Sequence, residues 1–131
     1  MKPNVPEGPP IRNAGEFFDM CERTTRRVFD PNDIDRPVLV FVDTEGRVRF
    51  RPVSGEDEAA ELTQAAWDYP IIAAIGFLRE RDGAIVATYR TRTGEESESR
   101  TPIFGSGNTR TLGTPARKII ESPKGRVHGR R

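Results

Sequence analysis

The side chains that most often carry out chemistry are scarce in this sequence. It contains one histidine, His128, and one cysteine, Cys21. A general base must be held within hydrogen-bond reach of its target. His128 stands three residues from the C-terminus, among glycines and arginines that offer no packing to hold it. Zinc wants four N or S ligands, and one Cys with one His cannot supply them. Cys21 falls on the inner face of an expected helix, where a free thiol packs as a small apolar group. Asp30, Asn32, Asp33 and Asp35 resemble the start of a calcium loop. Such a loop needs an oxygen ligand at its fifth position and glycine at its sixth; Ile34 and Asp35 stand there. Asp and Asn as turn formers account for the segment. Gly105-Ser106-Gly107 has neither the later glycine of a dinucleotide fingerprint nor the Gly-Lys-Ser/Thr of a phosphate loop, so it is expected to be a turn. No catalytic residue, metal ligand or cofactor is therefore assigned.

The cations are the more informative group. Arg47, Arg49 and Arg51 alternate with Val48 and Phe50. In a strand the three guanidinium groups share one face, about 6.6–7 Å apart, near the spacing of phosphates along a nucleic-acid strand. The competing role is protection of a sheet edge against aggregation. Arg79 and Arg81, or Arg90 and Arg92, enlarge this patch only if two hairpins lie side by side. Trp67 and Tyr69 close an expected helix, where they either stack on a base or seal the helix onto its sheet.

Net charge is +1, but it is unevenly spread. From Arg100 to the C-terminus there are eight basic residues and one acidic residue, a net +7, which leaves −6 for the remainder. A basic end on an acidic body points toward nucleic acid or another polyanion. The candidate contacts there are Arg117, Lys118, Lys124, Arg126, Arg130 and Arg131. Only three of the 21 basic residues are lysine. Arginine suits bidentate contacts, yet its excess runs through the whole chain and so singles out no site.

These residues must be positioned by a small number of elements. Pro3, Pro6, Pro9 and Pro10 predict an extended or disordered arm over residues 1–12. Asn13 and Glu16 have the spacing of a capping box and predict a helix from Asn13 or Ala14 to about Phe29. Its inner face carries Phe17, Cys21 and Val28, and Asp30-Pro31 stops it. Val38-Leu39-Val40-Phe41-Val42 is apolar on both faces, as in a central strand covered on both sides. A turn at 43–46 and the alternating stretch 47–51 complete a hairpin.

Ser54 is the expected cap of a second helix over about 55–67, with Glu56, Asp57 and Glu58 at the positive end of its dipole. The runs 71–79 and 84–91 flank Asp82-Gly83, a strong hairpin signal. Residues 93–100 are polar and predict a loop, 101–104 a last strand, and 116–121 a short helical turn. Residues 114–131 as a whole read as a basic, flexible tail.

The fold class that follows is α+β. Two β-hairpins build an antiparallel or mixed sheet with two helices packed on it in two layers, all within one domain over 13–113. Residues 1–12 carry no apolar run, so a secretory leader is not expected, and the longest apolar run, 71–78, falls far short of the ~20 residues that span a bilayer. A cytoplasmic protein without a membrane partner is expected. Three functions are open. The first is a non-enzymatic interaction module whose basic tail binds nucleic acid or an acidic protein. The second is a structural or accessory subunit, of viral or phage type for instance, that assembles with its own copies or other subunits. The third is a small enzyme built on arginines and carboxylates.

Overall fold

A computed structural model of the chain describes residues 10–32 and 36–119. Helix α1 spans Ala14–Val28. The Asn13 side chain accepts a hydrogen bond from the Glu16 amide at 2.9 Å, and the Glu16 carboxylate accepts one from the Arg12 amide at 2.7 Å. Orphan amides at the helix start are thus satisfied from both directions. Strands β1 (Val38–Asp43) and β2 (Val48–Pro52) form the first hairpin. Helix α2 spans Glu56–Ala66.

Ser54 does not cap α2. The N-cap is Gly55, without a side-chain cap bond, and the Glu58 carboxylate instead accepts from both the Ser54 amide and hydroxyl. Strands β3 (Ile72–Arg81) and β4 (Ala84–Thr91) form the second hairpin. Its turn has only two residues, Asp82 and Gly83, both at positive φ, 53° and 77°. That is the twist-matched turn Asp-Gly favours, so the strands run further into 80–83 than the sequence pattern implies.

The polar stretch after Thr91 differs most from expectation. Glu96–Phe104 is a nine-residue strand, β5, paired to β4 over residues 96–102. A 3-10 turn at Gly107–Thr109 leads to β6 (Thr111–Leu112) and then β7 (Ala116–Lys118). Residues 116–118 are therefore a strand on β5, not a helical turn. The strand order is β2-β1-β3-β4-β5-β6, with β7 also on β5, and every pairing is antiparallel.

The α+β class with an antiparallel sheet and two helices holds, but the layering differs. Val40 and Val42 pack with α1, whereas the intervening Leu39 and Phe41 belong to the α2 cluster. Successive strand residues face opposite ways, so the helices cover opposite faces and the sheet lies between them. The two-sided apolar character of β1 demands this. No helix among the described residues is long and apolar enough to cross a membrane.

The α1 core is built around Phe17, Phe18, Cys21, Val40, Val42, Ala74, Ala87 and Tyr89. Ile11, expected to belong to the arm, is buried in it, and its amide donates to the Gly46 carbonyl at 2.9 Å. The Phe17 ring centroid lies 4.8 Å from that of Tyr89 and 5.7 Å from that of Phe18. Burying each such side chain contributes about 1.5–3 kcal/mol. Phe17 reaches this depth because Gly76, in the middle of β3, has no side chain; a Cβ there would fall on the ring. Overpacking of this kind costs about 1–3 kcal/mol. Gly76→Ala is expected to lower the urea midpoint accordingly. A double-mutant cycle with Phe17→Leu should be non-additive, because the smaller side chain makes room for the new methyl. Strict additivity would show that the two positions do not share this contact.

Candidate functional site

Strand β2 is one edge of the sheet. The Asp43 amide donates to the Arg47 carbonyl, and the Val53 amide to the Pro37 carbonyl, at 2.9 and 3.1 Å. Hydrogen-bonded pairs alternate along an antiparallel ladder. With the register Phe41 to Arg49 and Leu39 to Arg51, those arginines bond inward to β1. Val48 and Phe50 therefore turn their backbone N–H and C=O groups out to the open edge.

The side chains divide by face. Arg47, Arg49 and Arg51 lie on the α2 face and are exposed; Val48 packs toward the α1 core, and Phe50 is 50% exposed. Arg47 is engaged by Asp43 at 3.3 Å and Glu45 at 3.0 Å. Burial pushes the Asp43 carboxyl up, but amide hydrogen bonds from Arg47 and Glu45 outweigh it and leave it below its ordinary value. Arg51 lies near Glu58, whose carboxyl is held down first by its bonds from Ser54. Arg49 has no ion pair or hydrogen bond among the described residues.

The hairpins do lie side by side, through β1 and β3, but two of the arginines that could enlarge the cationic patch are engaged within the fold. Arg79 pairs with Glu56 and lies against the Phe77 ring. Arg92 donates to the carbonyls of Trp67, Tyr69 and Ile72 at 2.9, 2.5 and 3.1 Å, and its guanidinium sits 5.3 Å from the centre of the Trp67 ring. It clamps the exit of α2 onto β3. Trp67 packs against the α2 core, while Tyr69 is exposed.

The start of the basic end is also absorbed by the fold. Arg117, on β7, reaches Asp19 at 2.7 Å and Glu22 at 2.6 and 2.9 Å, with its guanidinium 5.8 Å from the centre of the Phe18 ring. Ser99 donates to the same Glu22 carboxylate at 2.7 Å. Arg100 pairs with Glu98, and Arg110 donates to the carbonyls of Gly107 and Pro31. Lys118 is exposed beside Glu98. Lys124, Arg126, His128, Arg130 and Arg131 lie outside the described residues.

Two clefts flank the sheet. On the α2 side, one of about 440 Å³ is lined by Glu56, Thr63, Gln64, Phe77, Arg79, Thr88, Arg90 and Glu96. On the α1 side, one of about 400 Å³ is mainly apolar, with Cys21, Thr25, Val28, Val38, Phe50, Leu78 and Ile85. Val28 was expected to face the core but is 65% exposed at the mouth of this groove. Its position in the last turn of α1 is the signal that distinguishes it from Phe17 and Cys21. Burial, then the Glu22 charge, pushes the Cys21 thiol far above its ordinary value, so it is not a thiolate nucleophile. Neither cleft is lined by Arg49 or Arg51. Among the described residues, no group of three or more His, Cys, Asp or Glu side chains is placed to hold a metal.

No protein-family model matches the chain, and comparison with curated proteins and with solved structures likewise finds no match.

The Glu22 centre sets an expectation for pH. Burial raises its carboxyl, but hydrogen bonds from Arg117 and Ser99 prevail, and the group titrates below its ordinary value of 4.5. A depressed carboxyl contributes stability above the unfolded value, which is lost as pH falls through the folded one. Thermal melts from neutral pH down through the ordinary glutamate range should show this loss. Glu22→Gln should be less stable at neutral pH and show a shallower acid decline. An unchanged acid limb would mean that Glu22 is not tied to β5 and β7.

Proposed function

We propose that this chain is a non-enzymatic interaction module that engages an acidic partner, nucleic acid foremost, through the basic segment following β7. The observation that supports this reading is the anchoring of β7. Three hydrogen bonds from Arg117 to Asp19 and Glu22 hold the strand to α1, while its backbone pairs with β5. Arg117 is thereby removed from the set of partner-binding cations. The charges left for a partner begin at Lys118 and continue with Lys124, Arg126, Arg130 and Arg131, opposed only by Glu121. Such a segment binds phosphates through charge and counterion release, with strong salt dependence. Its attachment to a rigid sheet gives the contacts a fixed origin.

The test removes the charge and leaves the anchor. A chain ending at Lys118 keeps β7 and its bonds to α1. Its affinity for duplex DNA should fall, and the slope of log K against log salt should shrink by roughly 3–4, since four lost cations each account for about 0.9. Equal affinity and slope in the full and shortened chains would refute the proposal. Arg117→Ala, by contrast, should chiefly lower thermal stability.

A further inference from the structure

We propose that the outer edge of β2 is a docking site for an extended acidic segment of a partner protein, added to the sheet as one more strand. Three observations converge there. Val48 and Phe50 direct their N–H and C=O groups away from β1, as the register and the flanking bonds at Arg47 and Val53 require. Beside this edge lies the apolar groove in which Phe50 and Val28 are left exposed. On the opposite face the same strand presents Arg49 and Arg51. Strand addition draws affinity from main-chain bonds and specificity from alternate side chains. An incoming strand with apolar residues on one face and carboxylates on the other would set the former against Phe50 and the latter against the arginines. Opposite charges across adjacent strands attract and like charges repel.

The charge also decides against a second copy of this chain. An antiparallel β2–β2 pair centred on Phe50 would place Arg49 opposite Arg51 on both sides of the two-fold axis. The chain's own C-terminal stretch has the wrong sign as well. Pro52 lacks an amide hydrogen and ends the useful edge, so the register of an added strand is limited to the stretch around Phe50. This site is separate from the basic segment after β7, and either can fail without the other.

The probe is a short peptide alternating glutamate with valine, compared with polyglutamate of equal charge, on the isotope-labelled full chain. On addition of the alternating peptide, hydrogen exchange of the Val48 and Phe50 amides should slow. The Arg49 and Arg51 amides, already bonded to β1, should change little. Arg49→Glu with Arg51→Glu should weaken binding by roughly tenfold or more, and Arg49→Lys with Arg51→Lys should retain most of it. Ending the chain at Lys118 should leave it unchanged. Equal binding of polyglutamate, no selective protection at Val48 and Phe50, or a dimer of the free chain joined through β2 would each overturn the proposal.

Discussion

Helix α1 is seated on the sheet by the close approach of Phe17 to Gly76, and the rest of the architecture is arranged around it. Gly76 has Val40 and Tyr89 as its neighbours on β1 and β4. The Phe17 ring enters the space left by the missing side chain and packs against Tyr89. Glycine weakens a strand interior unless another group must come near, and here one does. With Phe17 seated, the helix lies across β1, β3 and β4, and its next turn is fixed as well. Cys21 goes inward and Glu22 is carried toward β5.

Glu22 then does for the far half of the sheet what Phe17 does for the near half. Along β5 the residues facing α1 are Ser97, Ser99 and Thr101, all buried. A polar group removed from water needs a partner, and Ser99 finds it in Glu22. The same carboxylate binds Arg117, so one helix residue ties together β5 and β7. Arginine plays this part repeatedly: Arg92 holds three carbonyls, Arg110 two and Arg26 the Gly113 carbonyl. A planar guanidinium with five donors can satisfy several acceptors at a loop where lysine offers one point charge. Much of the arginine content is therefore cross-linking within the fold, and its abundance is a poor guide to surface charge.

What is legible in the sequence is local. The Asn13 and Glu16 cap, the turn at Asp82-Gly83 and the alternation of 47–51 each depend on residues a few positions apart, and each is present. What is hidden depends on distance. The Glu-Ser-Glu-Ser-Arg stretch of β5 has no apolar face, so periodicity marks it as a loop; its buried face is polar because Glu22, 77 residues away from Ser99, satisfies it. The short β7 is invisible for the same reason, since its strand state rests on β5 and on α1. Phe50 and Val28 fail in the other direction. Their periodicity is right, but one lies on an edge strand and the other in the last turn of α1, and none of the described residues buries them. The paired state of Arg47, Arg79 and Arg117, which removes them from any free cationic surface, equally requires knowledge of what lies across from them.

The two ends of the sheet resolve the problem of unpaired backbone differently. At the β5 end, β6 and β7 divide the strand between them, pairing at 103–104 and at 98–100, and neither is long enough to be an inviting template. At the β2 end no such cover is found among the described residues, only exposed arginines and a terminal proline. Cationic edges are a common defence against self-association, and that defence works through the sign of the charge. An edge that repels its own copy by setting arginine against arginine favours, by the same Coulomb interaction, a strand that brings carboxylates. Protection and selectivity are then one property, with the apolar groove at Phe50 supplying what charge alone lacks, a preference for one face of the incoming chain over the other.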